Sequence, residues 1–387
     1  MADEAPHSRR NGDIECLRAI AVIGVAFHHM QGNLFHPGLP ILDRLHQHLD
    51  FWYGVDLFFA ISGFVIARSL LPEMAGARDN RGRLTTMAAF WIRRCWRLLP
   101  SAWLWLGVIL LLVVVCNRSG AFGSWHANLV ATLAGLLDVA NFRFADAFFR
   151  YEYGASFVYW SLSLEEQFYL LLPLLIICLR RRIDLLMAAI FVIQLFLFRT
   201  VLLMSVRTDA LALGVLLAIA ATKPHYVSLS PRVLLRLGWL RVVLPCLLLA
   251  LLGMLASGAF EYWRFRISAI ALVSAVLMWL ASYDEDYLLP SGVIKRILVW
   301  IGARSYAIYL AHVPAYFLLR EIDFRLGNVM TSWQLTVLAL ALIAIVADMN
   351  YRYLEQPLRR HGRLVAENFV RRRENFSAND NGQPISS

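Results

Sequence analysis

Ten apolar stretches, each near the length of a membrane-crossing helix, recur along the 387 residues. A hydrocarbon core of about 30 Å takes roughly 20 predominantly apolar residues per helix. The stretches lie near 17–35, 52–71, 98–116, 160–179, 183–204, 208–222, 240–257, 267–283, 303–320 and 333–351. A further one, 125–141, is shorter and interrupted by Asp138, and reads as a re-entrant or interfacial element. The expected fold class is therefore all-α: a polytopic membrane helical bundle of about ten transmembrane helices plus that one extra helix.

Composition and charge placement support this. Hydrophobic residues make up 59% of the chain and charged ones 17%, against about a quarter charged in soluble domains. The net charge of +10 is not the footprint of a nucleic-acid binder, because the basic residues sit in alternate connections. Arg9, Arg10 and Arg18 open the first stretch. Arg78, Arg81, Arg83, Arg93, Arg94 and Arg97 fill the second connection, and Arg180, Arg181 and Arg182 follow the fourth span. Arg232, Arg236 and Arg241, then Lys295, Arg296 and Arg304, then Arg359, Arg360, Arg363 and Arg371 to Arg373 complete the series. With ten spans all of these face one side, as the positive-inside rule requires. The expected location is a bacterial inner membrane, with both termini cytoplasmic. Residues 1–13 read as a cytoplasmic tail, 14–360 as the transmembrane domain and 361–387 as a basic, disordered cytoplasmic tail. The five cysteines show neither CxxC nor ligand spacing.

Ionisable residues inside such stretches are costly, by about 2.5–3.5 kcal/mol on insertion scales, and so are functional candidates. Arg18 and His29 are eleven positions apart, about three turns or roughly 16 Å along one helix face; His28 points elsewhere. Asp56, in Gly54-Val55-Asp56-Leu57-Phe58-Phe59, either orients an imidazole or caps its helix. Ser62 and Gly63 permit close helix contact. Trp160 to Tyr169 opens the fourth span, with Ser161, Glu165 and Tyr169 spaced by four on one face and Ser163 and Glu166 beside them. Arg207 and Asp209 read as a local ion pair. Ser305, Tyr309 and His312 form a polar stripe, with Pro314 placed to kink the helix. His36, His46 and His48 read as solvated loop histidines, and Asp284-Glu285-Asp286 as a hydrated turn. No metal is expected.

Taken together, these segments resemble the bacterial acyltransferase 3 family of membrane-bound O-acyltransferases. The resemblance runs in order from about 14 to 360. It includes Glu15 to Val22 with Arg18 and His29, Gly54 to Phe59 with Ile61-Ser62-Gly63-Phe64, and Arg93-Arg94 with Arg97-Leu98-Leu99-Pro100. The Trp160 to Tyr169 segment, Arg207-Thr208-Asp209-Ala210-Leu211-Ala212-Leu213-Gly214, Ser305 to His312 and Tyr353-Leu354-Glu355-Gln356-Pro357-Leu358-Arg359-Arg360 follow. Any one of these is ordinary membrane sequence; seven in order are specific.

The resemblance implies transfer of an acyl group, acetyl first, from cytosolic acyl-CoA to a hydroxyl of a cell-surface or lipid-linked carbohydrate. The family's proposed catalytic His follows its Arg by eleven positions, which selects His29. His29 is then the general base, suited because imidazole titrates near working pH. Glu165, or Glu166 in its place, supports it, and Asp56 is a second orienting candidate. Arg18, Arg93, Arg94 and Arg97 bind the donor, since guanidinium forks match phosphate oxygens. Trp160, Ser161, Ser163, Tyr169, Ser305, Tyr309 and His312 line an acceptor or channel path. Acetyl-CoA is a co-substrate and no cofactor is permanently bound; the partners are carbohydrate and membrane lipid, not nucleic acid. The competing class is a transporter or flippase without acyl-transfer chemistry.

Overall fold

In the computed structural model the described residues are 11–36, 38–77 and 79–380. Arg9, Arg10, Arg78 and the last seven residues lie outside them. Among the described residues the chain is helical, with one isolated bridge and no strand.

The helices are α1 Gly12–His28, α2 Met30–Asn33, α3 Pro40–His48, α4 Gly54–Gly76, α5 Asn80–Val115 and α6 Trp125–Leu136. Next come α7 Ala140–Ala147, α8 Tyr159–Leu179, α9 Ile183–Phe196, α10 Val201–Ser205, α11 Asp209–Ala221 and α12 Val233–Arg236. The series closes with α13 Val243–Ala256, α14 Arg266–Ser282, α15 Val293–Ala303, α16 Ser305–Arg325, α17 Ser332–Asn350 and α18 Gln356–Asp380. Their starts follow from side chains that satisfy the otherwise orphaned first N–H groups. Asn11 accepts from the Ile14 N–H at 2.8 Å, Asp79 from Gly82 at 2.7 Å and Ser124 from Ala127 at 3.2 Å. Thr331 and Gln334 form a capping box ahead of α17.

Six helical segments among the described residues are long and apolar enough to cross a membrane: Gly54–Gly76, Asn80–Val115, Tyr159–Leu179, Val201–Ala221, Gly238–Ala256 and Ser332–Asn375. The expected ten are not all of that kind. α1 and α14 have 17 residues and α9 has 14. α16 is long enough, but its tyrosines, His312 and terminal charges make it less apolar. α6, at 12 residues, spans about 18 Å at 1.5 Å per residue and is too short to cross. It ends where Asp138 turns to φ 58°.

Two compact units make up the chain. The first comprises Met1–Ala67, Leu186–Arg199 and Arg207–Tyr309; the second Arg68–Leu185, Thr200–Val206 and Leu310–Ser387.

The first unit is built on close helix crossings at glycine. A Cβ at Gly302 of α15 would meet the Glu15 backbone in α1, and one at Gly54 would meet the Ala21 carbonyl. Gly63 of α4 and Gly214 of α11 face each other's backbones, against Leu211 and Ala60 respectively. This is the small-residue contact that lets membrane helices approach without side chains between them. At the start of α1, buried Asp13 pairs with Lys295 and accepts from the Tyr287 N–H at 3.1 Å. Lys295 also pairs with Asp286, and Asp284 accepts from the Gly12 N–H at 2.7 Å. The expected hydrated turn at 284–286 thus fastens α1, because the buried Lys295 ammonium needs carboxylate partners.

In the second unit α18 lies along α5. Gly362 abuts Trp96, and the Trp96 and His361 rings meet edge-on with centroids 4.6 Å apart. Ala366 is also buried, and the segment expected to be a disordered tail continues the helix to Asp380. Pro357 cannot donate a backbone hydrogen bond, and the turn just before it, Tyr351–Glu355, is a π-helix. Asn350, the last residue of α17, donates across that turn to Glu355 at 2.8 Å and also to Ser101 at 3.2 Å. Buried Glu321 accepts from the N–H groups of Arg118 at 3.1 Å and Ser119 at 2.7 Å, and from Arg325 at 2.6 Å. It fixes the loop after α5.

Candidate active site

His29 stands at a break in the chain rather than on a continuous helix over 17–35. α1 ends at His28, and His29 is its C-cap with φ −78° and ψ −5°, its N–H donating to Val25 O at 3.1 Å. Two residues on, Gln31 is extended and Gly32 takes φ +80°, a region glycine enters without steric cost. The Asn33 side chain donates to the His29 carbonyl at 2.8 Å. The imidazole is half-buried. Arg18, in the body of α1, is ion-paired with Glu15 at 3.2 Å.

His28 has its own carboxylate. Its Nδ1 lies 2.5 Å from Asp50 Oδ1, and its ring centroid is 5.2 Å from that of His29 and 5.5 Å from that of His46. His46 is no solvated loop residue: α3, started by Pro40 at its first turn, places its ring against Phe27 with centroids 6.3 Å apart. His36 and His48 are exposed, as expected.

Asp56, in the first turn of α4, is engaged by an arginine. Both its oxygens are taken by Arg207, Nε to Oδ1 and Nη2 to Oδ2, each at 2.8 Å. Arg207 also lies over Trp52, 5.6 Å from the ring centroid. The expected Arg207–Asp209 pair does not form. Asp209 is instead paired with Arg199 and accepts from Ser268 at 2.7 Å. Both acids need a partner because both are buried. These two links join α4, α11, α14 and the connection after α9.

In the second unit Arg93 pairs with Glu73 at 2.7 Å. The Arg94 guanidinium lies 5.4 Å from the Phe90 ring centroid and 5.3 Å from that of Tyr169, and Arg97 is half-buried on the same helix. Trp91 donates to Tyr169 O at 3.2 Å. Nearby, Arg83, Arg180 and Arg182 line a groove of about 700 Å³ with Leu71, Met74 and Ile176.

Glu165 and Glu166 are half-buried in the second turn of α8. Trp160 stacks on Phe144 with centroids 5.6 Å apart. Ser161 donates to Val158 O at 3.2 Å. Ser163 accepts from the Ala140 N–H at 3.2 Å, and Gln167 bonds both the Asn141 side chain and Asp138 O. Ser163 therefore holds the start of α7. Ser305, Tyr309 and His312 are all buried on α16, which runs unbroken through Pro314. Tyr309 meets Phe58 edge-on with centroids 6.1 Å apart, and His312 meets Tyr316 likewise at 6.0 Å. Thus Arg18, His29, Asp56, Ser305 and Tyr309 belong to the first unit, and the remaining candidates to the second.

The acid–base pairs Asp56–Arg207, Arg199–Asp209 and His28–Asp50 were not legible beforehand. The one available signal was a count of buried charges that must find partners.

Comparison with known proteins follows the same stretch of chain. Residues 11–349 match the model of an acyltransferase domain, that of acyltransferase 3. The chain is 27% identical, over 94% of its length, to YrhL of Bacillus subtilis (strain 168), provisionally named a peptidoglycan O-acetyltransferase. It is 27% identical, over 90% of its length, to the peptidoglycan O-acetyltransferase OatA of Listeria monocytogenes. A provisionally named O-acetyltransferase of Staphylococcus aureus (strain COL) is 26% identical over 90%. The chain spans 57%, 56% and 57% of these relatives' own lengths. No solved structure matches it.

Proposed function

The chain belongs to the acyltransferase 3 family, and on that premise we propose that it is a membrane O-acetyltransferase. Its donor is cytosolic acetyl-CoA, and its acceptor is a hydroxyl of a cell-surface carbohydrate, peptidoglycan included. The observation that carries this reading is the family match over residues 11–349, which takes in every residue assigned a role below. Location in a bacterial inner membrane, with ten crossings and both termini cytoplasmic, belongs to the same proposal.

In this reading His29 is the general base. His29 sits at the end of α1, three residues before the glycine turn at Gly32. Neutral imidazole takes the hydroxyl proton as the oxygen attacks the thioester carbonyl. The carbon–sulfur bond then breaks and the thiolate leaves with coenzyme A. Glu165 is the carboxylate proposed to stabilise the imidazolium, with Glu166 as alternate; Asp56 is set aside, since Arg207 engages it. Arg18, Arg93, Arg94 and Arg97 are the proposed donor-binding residues. Phosphate would compete with Glu73 for Arg93, and Arg94, on the same helix as Arg93, lies over the Tyr169 ring.

The test is direct. Purified chain in detergent, offered acetyl-CoA and a glycan acceptor, releases coenzyme A and yields O-acetylated glycan. His29→Ala abolishes the product while the protein stays monodisperse, and Arg93→Ala raises the KM for acetyl-CoA more than it lowers kcat. Full product yield from His29→Ala removes His29 from the mechanism. Absence of turnover with any sugar offered, together with measurable sugar transport in vesicles, replaces the enzyme with a transporter.

A further inference from the structure

The group around His28 bears on neither the donor nor the acceptor in the reading above, and it brings three metal-ligating side chains together. One nitrogen of His28, one of His46 and a carboxylate oxygen of Asp50 lie within 4.8 Å of one another. They come from three places: the last residue of α1, the end of α3 and the turn before α4. Asp50 is held firmly, its N–H donating to Gly253 O at 3.0 Å and its Oδ1 accepting from the Phe51 N–H at 2.6 Å.

His46 gives the independent observation. Its Nε2 is buried and has no hydrogen-bond partner. A buried polar atom left unsatisfied costs about 1–3 kcal/mol, and in native proteins such an atom calls for an explanation, an ion among them. An imidazole nitrogen with an open lone pair is what a metal ion binds.

We propose that His28, His46 and Asp50 bind one divalent transition-metal ion, zinc foremost, tying α3 to the end of α1. Two imidazoles and one carboxylate are a three-ligand set that leaves a fourth position open to water. The same donors also suit ferrous iron or cobalt. Zinc–nitrogen and zinc–oxygen bonds of about 2.0–2.2 Å need ligand atoms roughly 3.3 Å apart. The ion would displace the proton shared at 2.5 Å between His28 and Asp50, and His46, two residues from the exposed end of a short helix, would swing inward by about an ångström. The site does not depend on the acetyl-transfer reading, and it departs from the expectation of a metal-free protein.

The experiment uses the full chain in detergent, stripped with chelator and titrated with CoCl2 and, separately, with ZnCl2 against a chromophoric chelator. One equivalent of cobalt should bind and develop the visible absorption of a four-coordinate nitrogen–oxygen site. His46→Ala and Asp50→Asn should each weaken zinc at least tenfold, while His48→Ala, an exposed histidine on the same helix, should leave it unchanged. X-ray absorption at the zinc edge of the wild-type protein should show two imidazoles and no sulfur, a readout that does not depend on any variant folding. A sulfur shell, no uptake by the wild type, or equal loss from His48→Ala overturns the proposal.

Discussion

Asp56 and Arg207, 151 positions apart, meet as a two-pronged ion pair with both contacts at 2.8 Å. Each side chain is almost wholly enclosed, at 1% and 5% exposure. Two of the ordered motifs that mark the family therefore touch. Removing one member of a buried pair strands the other charge, at a cost of about 3–5 kcal/mol. Asp56→Asn should accordingly lower the melting temperature in detergent sharply. Arg207→Lys should fall between the two, keeping the charge but losing the fork. An unchanged melting temperature for Asp56→Asn would falsify a structural role for the pair.

The crossing of α4 and α11 makes a second prediction. A methyl at Gly63 or Gly214 points straight into the partner helix backbone, which no side-chain rotation relieves. Gly214→Ala should destabilise by about 1–3 kcal/mol. Gly107→Ala is the control: nothing lies within 4 Å of that position in α5, and the better helix former should be neutral or slightly stabilising. Melting curves of the two variants should move apart, and equal shifts count against the close crossing.

Glu321 should prove to be the fastener of the loop following α5. Its carboxylate holds two backbone N–H groups and the Arg325 guanidinium with 1% of the side chain exposed. Glu321→Gln leaves charge-assisted bonds worth about 1.5–3 kcal/mol each only partly replaced. Amide exchange at Arg118 and Ser119 should quicken by tenfold or more while α17 amides stay protected. Unchanged exchange at those two amides means the loop is held by something else.

The seat of α3 should weaken in acid. Desolvation holds the His46 imidazole below its usual pKa, so the unfolded segment protonates first as pH falls. That contribution is complete above about pH 6.5 and is lost as pH drops through the lowered folded value. Burial alone would raise the Asp50 carboxyl, but the His28 hydrogen bond and charge outweigh it and hold it below the usual range. Its contribution is complete above about pH 3.9 and disappears at lower pH. The other charged groups nearby, Asp43 and Arg266, enter through the same field. In metal-free buffer, trypsin cleavage at Arg44 should speed up between pH 7 and pH 5 after correction for the protease's own profile. A flat corrected rate contradicts the assignment.

Much of the helical layout was readable because length and apolarity are local properties. The helices over 52–71, 98–116 and 160–179 needed nothing beyond a count of apolar residues. Small residues at Ser62 and Gly63 announced a close crossing, though not which helix would supply Gly214. Partner choice was the part hidden from view. Arg207 reads naturally with Asp209 two positions away, yet Asp209 opens α11 facing Arg199 and Ser268, and Arg207 turns to Asp56. The break at His29 was hidden for a similar reason. The apolar run continues past it, and Gly32 alone does not say that it adopts a left-handed backbone. In the same way α3 read as loop, since its role depends on a carboxylate that the fold brings to His28.

α5 carries one more implication. Its 36 residues extend about 54 Å at 1.5 Å per residue, against a hydrocarbon slab of about 30 Å. Only its later part, rich in leucine, valine and tryptophan, can sit in lipid. The earlier part, with Arg81, Arg83, Arg93 and Arg94, packs on protein instead, against Tyr169 of α8 and against α18 where Gly362 meets Trp96. The excess over the slab, about 24 Å, must run past the hydrocarbon at the arginine-bearing end.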